Sequence, residues 1–416
     1  LIYIITFMNR YIGLLLYDLW SVFFMNRRKF LIASGVIIAA AVIGSGLWWY
    51  TSRREGGPVT INLYTWEEEI YPDEPIVIDD KEFDTIPAAF EYLNPNIKVV
   101  SAYYGDQDKM VAELLGGRKA DVIAPCLDYI PILVEHDLIQ PLDTSLLTNW
   151  DKLYPVFHKI STYNGKPYLS PSNYGTEAID YLRPAFKENG LKEPESWYDF
   201  FHPDELGFDK LPNPRRVLMP DDPKMGIAMA ALALGFDLDS DNDGKWELTD
   251  SQLDEVKELL LHQKPYVLKY SEEIDSELPT LMANGDVYMS LGWAPETLEL
   301  KDEGYDVVYV LPEEGPLVFL CGNAVVKGTE HVEAAHKLVD FYLSEYVQGQ
   351  VFAEQYWYGI TNSEVVEKLK DEDPELVEGL MLDKPEEALA KGVFELPLDE
   401  GQEEKWEEIW NEVMST

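Results

Sequence analysis

From Val59 onward, the sequence alternates between strand-type and helix-type patterns, and this alternation limits the fold more than any other feature. Residues 59–64 and 97–103 have strand patterns. Residues 110–115, which precede a third strand pattern at 120–125, have the apolar spacing of a helix. Strands that alternate with helices in this way predict an α/β fold with largely parallel sheets.

A second unit of the same kind begins after the turn at Asn164 and Gly165. The apolar run 318–326 is then predicted to return to the first unit. A chain of 416 residues with 46% hydrophobic residues has enough apolar material for two lobes. The second unit contains strand patterns at 216–219, 287–291 and 306–310 and an apolar helix at 225–235.

The chain is strongly acidic, with 76 Asp and Glu against 33 Lys and Arg and a formal charge of −43. Such a charge repels nucleic acid and favours cationic ligands, so we expect no nucleic-acid partner. Most of these carboxylates also fit a solvated surface that keeps the protein soluble. Only a few of them are therefore expected in a site.

The first 55 residues have the composition of an export segment. Arg27 and Arg28, followed by Phe30 and Leu31, resemble the twin-arginine signal. Residues 30–50 contain no acid or base, and their length is close to the roughly 20 residues that span a bilayer. We expect an extracytoplasmic protein, in the periplasm or at the cell surface, with residues 1–55 kept as a membrane anchor. A cleaved signal is the alternative.

Residues 239–250 match the loop of a calcium-binding EF-hand. Carboxylates at alternate positions converge on one hard cation, and Gly244 permits the sharp turn. Because Asp250 replaces the usual Glu, weak or magnesium-like binding and an unfilled acidic turn are alternatives to a structural Ca²⁺ site. We expect no organic cofactor. The expected ligands are Asp239, Asp241, Asp243, the carbonyl of Lys245, Glu247 and Asp250.

Motifs of catalysis are missing from the sequence, which contains no GxSxG, HExxH or Walker pattern. Aromatic residues instead stand beside acids at predicted strand ends, as at Trp66 with Glu67. Aromatic faces attract organic cations, and carboxylates bind their charged nitrogens. Trp66 and Trp293 are therefore candidates for ligand binding, although each also fits a core position.

Seven segments carry a further signal: 63–67, 120–126, 138–143, 167–176, 218–222, 289–293 and 334–341. Each segment alone is a loose match, but their shared order is specific and extends over nearly all of residues 59–416. In this order they resemble the spermidine/putrescine-binding family of bacterial periplasmic proteins, the receptors of polyamine ABC transporters.

This resemblance implies two α/β lobes joined by crossing strands, with a ligand cleft between them. We expect residues 59–172 and 319–358 in lobe 1, and residues 173–318 and 359–416 in lobe 2. By the same resemblance, the ligand-binding residues are Trp66, Glu67, Cys126, Asp128, Tyr174, Asp222, Trp293, Phe319 and Cys321.

Two departures from the family pattern affect the expected ligand. Cys321 stands where the family has its principal carboxylate for a ligand amine, and Met225 replaces another acid. Asp128, the acids at 67–69 and Glu296 are candidates for replacement charge. The ligand is therefore a polyamine or, alternatively, another amine, an amino-acid derivative or a short peptide.

The resemblance also places Cys126 and Cys321 near the cleft, and we hypothesise a disulfide between them. Two free buried thiols are the alternative.

Taken together, these features predict a monomeric receptor without catalysis that delivers its ligand to ABC permease subunits. Trp66 and Trp293 are expected to sandwich the ligand, with Asp222 and Glu67 as anchors. The alternatives are an exported enzyme acting on a cationic substrate and a surface adhesion or scaffold protein.

Overall fold

The computed structural model describes residues 58–241 and 244–416, so the expected export segment 1–55 and Asp243 lie outside the described residues. The strands are β1 Val59–Thr65, β2 Ile76–Ile78, β3 Lys81–Phe83, β4 Ile97–Tyr103, β5 Val122–Ile123, β6 Ile139–Gln140, β7 Thr162–Tyr163, β8 Lys166–Pro167, β9 Ser170–Leu182, β10 Val217–Pro220, β11 Val267–Ser271, β12 Met289–Trp293, β13 Val307–Val310, β14 Leu317–Val326, β15 Gly359–Ile360 and β16 Val393–Phe394.

Helices fill most of the connections between these strands. They are α1 Ile86–Leu93, α2 Gln107–Leu115, α3 Ile130–Glu135, α4 Pro155–Ile160, α5 Arg183–Asn189, α6 Trp197–Phe201, α7 Pro203–Leu206, α8 Pro223–Ala233, α9 Asp250–Gln263, α10 Ile274–Ala283, α11 Ala294–Asp302, α12 Val332–Tyr342, α13 Ser363–Glu372, α14 Pro374–Gly379, α15 Pro385–Leu389 and α16 Gln402–Ser415, with a π-helix at Glu345–Ala353. Among the described residues, no helix has both the length and the hydrophobicity that crossing a bilayer requires.

Two long strands, β9 and β14, connect the two halves of the main sheet. They pair antiparallel from Leu317 opposite Glu177 to Asn323 opposite Ser170. Beyond this ladder, β14 continues to β5, where Val325 lies opposite Val122. The predicted return of residues 318–326 to the first unit is therefore confirmed. Across the described strands the order is β11-β10-β12-β9-β14-β5-β1-β4, with β13 and β15 paired to β9 and β6 and β16 paired to β14.

The sheet is mixed rather than largely parallel. Within each half, β1 pairs parallel with β5, and β10 pairs parallel with β11 and β12. The crossing strands run antiparallel to their neighbours, because they go out from one half and come back to it. The expectation of parallel strands thus holds inside the halves and fails at the strands that join them.

Each half packs its helices around its own core, which makes the fold two-lobed. In the first lobe, Leu63 and Val122 of the sheet pack with Phe90 of α1. In the second lobe, Leu218 and Met289 of the sheet belong to one cluster with helix residues. Trp406 and Trp410 of α16 are buried in that second cluster.

Helix α13 packs against the first lobe, although residues 359–416 were expected in the second lobe. Its apolar residues Val365 and Leu369 belong to the core cluster that contains Leu63 of β1. We therefore propose that residues 360–382 belong to the first lobe. The chain then returns to the second lobe before α16.

Candidate functional site

A cleft of about 540 Å³ lies between the two lobes. We call it the aromatic cleft, because half of its lining residues are Trp, Tyr or Phe. Three further lining residues are carboxylic acids, and none is Lys, Arg or His. The lining residues are Asp73, Trp293, Pro295, Glu296, Glu299, Phe319, Gln355, Tyr356, Trp357 and Tyr358.

The aromatic side chains of this cleft come from both lobes and from a crossing strand. Trp293 ends β12 in the second lobe, whereas Phe319 lies on β14. Tyr358 follows the π-helix, and its ring meets the ring of Phe319 edge-on at a centroid distance of 5.7 Å. The ring centroids of Tyr356 and Tyr358 lie 5.9 Å apart. The cleft therefore offers several ring surfaces to one bound molecule.

Trp357 occupies a backbone conformation that bulky residues rarely adopt. Its φ angle is +48°, in the left-handed region that costs roughly 1–2 kcal/mol for a residue with a side chain. Such strain persists where the surrounding structure enforces it, and it clusters at ligand sites. Trp357 was not predicted from the sequence, although the run of three aromatic residues at 356–358 was a signal for it.

The carboxylates of the aromatic cleft are held in place by local structure. Glu296 is buried in the first turn of α11, where its Oε2 accepts a hydrogen bond of 3.0 Å from the backbone N–H of Trp293. On the opposite wall, the Gln355 side chain accepts from the N–H of Glu74 at 2.9 Å and donates to its carbonyl at 3.1 Å. These two bonds fix the chain next to Asp73.

Behind the aromatic wall, Glu177 of β9 is buried with 2% of its surface exposed. Its carboxyl group hydrogen-bonds to the side chains of Glu395 and Trp293. Burial and then the charge of Glu395 raise the pKa of Glu177 well above its usual range. Burial, offset by the charge of Lys224, raises the pKa of Glu395 to about 6.

A second opening of about 540 Å³, here called the acidic cleft, also lies between the lobes. It contains Asp128 from the first lobe and Asp222 from the second, both of which were expected to bind ligand. Asp222 caps α8, since its Oδ1 accepts from the N–H of Met225 at 2.9 Å. The lining residues are Asp108, Asp128, Tyr129, Ile132, Asp222, Pro223, Lys224, Pro397, Leu398, Asp399, Glu400, Gly401, Glu403, Trp406 and Glu407.

Trp66 and Glu67 do not line either of these clefts. The indole N–H of Trp66 donates to the carbonyl of Ala124 at 3.1 Å, and its ring packs edge-on against Tyr104. Glu67 is exposed, and its carbonyl accepts from Ile70 in a turn. The predicted sandwich of a ligand between Trp66 and Trp293 therefore stays a prediction, since Trp293 lines the aromatic cleft together with residues 356–358 and Trp66 does not line it.

Tyr174 was expected at the ligand but lies in a core cluster. Successive residues of a strand point to opposite faces of the sheet, and the glycine that follows, Gly175, contacts Phe319 of the aromatic cleft. Tyr174 therefore points away from the cleft, where its ring packs at 5.2 Å from Phe157.

Cys126 and Cys321 are joined as a disulfide in the structure. Cys126 follows β5 in the first lobe, and Cys321 lies on the crossing strand β14, opposite Asn173 of β9. Both residues are 8% exposed, and neither lines the aromatic cleft or the acidic cleft. Their place is therefore beside the crossing strands rather than at the cleft surface expected of ligand-binding residues.

The EF-hand-like loop is described except for Asn242 and Asp243. Asp239 accepts a hydrogen bond from the N–H of Gly244, whose φ angle is +86°, so the loop makes the predicted turn. Asp250 begins α9 and accepts from Lys405 at 2.7 Å. Within the described part of the chain, no group of three or more His, Cys, Asp or Glu side chains is placed to hold a metal ion.

A two-lobed α/β fold with an aromatic, acidic cleft between the lobes defines the class of solute-binding proteins. Residues 86–378 match the family of bacterial extracellular solute-binding proteins, and the chain belongs to this family. It is a family of binding proteins and not of enzymes.

Relatives and solved structures agree with this assignment. The chain is 25% identical to the putrescine-binding periplasmic protein SpuD of Pseudomonas aeruginosa, over 70% of this chain and 75% of that protein. Its fold is similar to a spermidine/putrescine ABC transporter protein of Listeria monocytogenes, with a TM-score of 0.66, 23% identity, and coverage of 85% and 98% of the two chains. A spermidine/putrescine substrate-binding protein of Streptococcus pneumoniae, solved with calcium and HEPES, has a TM-score of 0.66, 19% identity, and coverage of 86% and 99%.

Proposed function

We propose that this protein captures a small organic cation in the aromatic cleft and delivers it to the permease subunits of an ABC importer. The observation that carries the proposal is the lining of that cleft, where five aromatic residues and three carboxylic acids stand without a basic residue. The names of similar proteins, which mention putrescine or spermidine, support an amine as the ligand.

The chemistry of recognition follows from the groups in the cleft. An ammonium group placed over Trp293 or Trp357 gains about 0.5–2 kcal/mol from each ring face. Hydrogen bonds to charged groups contribute about 1.5–3 kcal/mol each. Glu296 and Glu299 line the second-lobe wall and can accept such bonds. Because the walls belong to different lobes, lobe closure brings both sets of contacts onto one ligand.

Native mass spectrometry of the gently purified protein tests this proposal. We expect one co-purifying solute with a protonated nitrogen, released unchanged by mild denaturation. Trp293→Ala and Glu296→Gln are expected to lose it, whereas Tyr198→Ala, at an exposed position of α6, keeps it. A neutral or anionic solute, or a solute recovered in a chemically altered form, would contradict the proposal.

The location and state of the protein are part of the same proposal. We infer an extracytoplasmic monomer that residues 1–55 tether to the membrane. Mass spectrometry of the protein from the membrane fraction tests the tether, since a chain that starts near residue 56 would mean that the signal is cleaved. Compaction on adding the ligand, measured by small-angle scattering, tests lobe closure.

We also propose that the loop 239–250 binds calcium weakly, with Asp239 and Asp241 as ligands. The turn at Gly244 and the calcium in the Streptococcus pneumoniae structure support this proposal. Calorimetric titration of chelator-treated protein with Ca²⁺ should give heat and a higher melting temperature, and Asp239→Asn should abolish both. The absence of heat in the unaltered protein would remove the site.

A further inference from the structure

Lys224 places its ammonium group in surroundings that suit a bound amine. Its Nζ donates to Asp128 Oδ2 at 2.6 Å and lies 3.9 Å from Glu395 Oε2. The ring of Trp246 lies 5.3 Å from the same nitrogen. Two carboxylates and an aromatic face are the groups by which proteins recognise free organic ammonium ions.

The ammonium group also connects the lobes. Asp128 belongs to the turn after Cys126 in the first lobe, whereas Lys224 lies in the first turn of α8 in the second lobe. A ligand that closes a two-lobed protein bridges the lobes in the same manner. The Lys224 side chain is 28% exposed and Asp128 is 4% exposed, so the pair is largely shielded from water.

Lys224 is surrounded by more acidic side chains than a single ion pair requires. We call Asp128, Glu177, Asp222, Glu395 and Lys224 the carboxylate cluster. Although burial opposes it, the charges of Asp128 and Glu395 raise the pKa of the Lys224 ammonium. Within the described residues, Asp128 Oδ1 and Glu177 Oε2 are buried and have no hydrogen-bond partner. Buried carboxylate oxygens are nearly always satisfied, so the unpartnered Oδ1 of Asp128 leaves the cluster able to accept a further hydrogen bond.

The carboxylate cluster is connected to the aromatic cleft. Trp293 lines that cleft and hydrogen-bonds to Glu177, which in turn bonds to Glu395 beside Lys224. The ammonium of Lys224 and a cation in the aromatic cleft therefore lie at the two ends of one connected set of acidic side chains.

We propose that the Lys224 ammonium occupies one of two cation subsites between the lobes, so that the protein selects solutes with a single cationic head group over diamines. This inference rests on the proposed function and states which amines the protein prefers. The free head group binds in the aromatic cleft, and Lys224 supplies the second positive charge from the protein itself.

Calorimetric titrations with n-butylamine and 1,4-diaminobutane, which have the same carbon chain, test the selectivity. We expect the unaltered protein to prefer n-butylamine. Lys224→Met removes the charge but keeps the length of the side chain, and it should shift the affinity ratio toward the diamine by about tenfold or more. Lys224→Arg should keep the preference. Lys192→Met, which removes an exposed lysine paired with Asp199, is the matched control and should also keep it.

Chemical rescue tests the subsite without the physiological ligand. Ethylamine should raise the melting temperature of Lys224→Ala by several degrees at concentrations that leave the unaltered protein unchanged, because a bound ligand stabilises the folded state. An unchanged affinity ratio in Lys224→Met overturns the proposal, as does a lack of rescue in both Lys224→Ala and Lys224→Met. If no amine binds the aromatic cleft of the unaltered protein, the proposed function fails, and the rescue alone decides whether Lys224 fills a cation subsite.

Discussion

The ring of Phe319 lies so close to Gly175 that a Cβ atom added to this glycine would be 2.4 Å from the ring atoms Cε1 and Cζ. The side chain that lines the aromatic cleft is therefore positioned by the absence of a side chain on the neighbouring crossing strand. This relationship links the backbone of β9 to ligand recognition.

Gly175→Ala is expected to displace the Phe319 ring. Overpacking of this kind costs about 1–3 kcal/mol of folding stability. Because the displaced ring lines the aromatic cleft, the affinity for n-butylamine should also fall, by about tenfold or more in a calorimetric titration. Gly105→Ala is the control, since a Cβ at Gly105 meets no atom within 4 Å. Unchanged affinity in Gly175→Ala would show that the position of Phe319 does not matter for binding.

Variants of Trp357 can separate the cost of its backbone strain from its part in binding the ligand. Trp357→Gly and Trp357→Ala both remove the indole, but only glycine adopts a φ of +48° without cost. Urea unfolding should give Trp357→Gly a free energy of unfolding about 1 kcal/mol higher than that of Trp357→Ala. Both variants should lose amine affinity to the same extent, and equal stabilities would contradict the strain at this position.

The disulfide between Cys126 and Cys321 closes a loop with a sequence separation of 195 residues. In the chain-entropy model, a loop of this size stabilises the folded state by roughly 3–5 kcal/mol. The Cys126→Ser/Cys321→Ser double variant should lose that stability in urea, and reduction of the unaltered protein should do the same. Alkylation of two thiols in the exported, unreduced protein would refute the bond.

We expect the free energy of unfolding to depend on pH through Glu69, a buried residue that follows β1 closely. Burial raises its pKa to about 8, although the hydroxyl of Thr65 donates to it at 2.5 Å. Glu69 stays protonated in the folded state after it has ionised in the unfolded chain, so its stabilisation is full below about pH 4.5 and is lost as pH rises to about 8.

Urea unfolding between pH 5 and pH 9 measures this effect. The free energy of unfolding should fall by on the order of 1 kcal/mol per pH unit up to about pH 8. Glu395, whose pKa is raised to about 6, adds to the slope at the acid end. Glu69→Gln should make the curve less steep without flattening it, because burial also raises the pKa of Glu177 and Asp180, and a variant with the slope of the unaltered protein would exclude a contribution of Glu69.

The general course of the fold was predictable from local patterns. The apolar run at 318–326 could cross between lobes because both of its faces are buried, and Trp406 and Trp410 lie four residues apart on one buried face of α16. These features depend on the spacing of neighbouring residues. The antiparallel pairing of the crossing strands depends on the return path of the chain, which no local pattern records.

The site was less predictable, because it combines segments that are distant in sequence. Trp293 and Phe319 could be named from the family resemblance, and both line the aromatic cleft, whereas Trp357 joins that lining from the segment after the π-helix. Tyr174 stays a prediction as a ligand residue, because its ring packs in a core cluster and one step along a strand changes the face of the sheet. Asp222 is a helix cap as well as an acid beside a cleft, and sequence alone does not distinguish these roles.

Calorimetric titration of the protein with n-butylamine and with 1-butanol, which differ in the head group, tests the central claim most directly. The aromatic cleft should bind the ammonium at least about tenfold more tightly than the alcohol, and a Trp293→Ala/Glu296→Gln variant should lose this preference. Equal affinities for the amine and the alcohol, or a preference that survives in the double variant, would contradict recognition of an organic cation in this cleft.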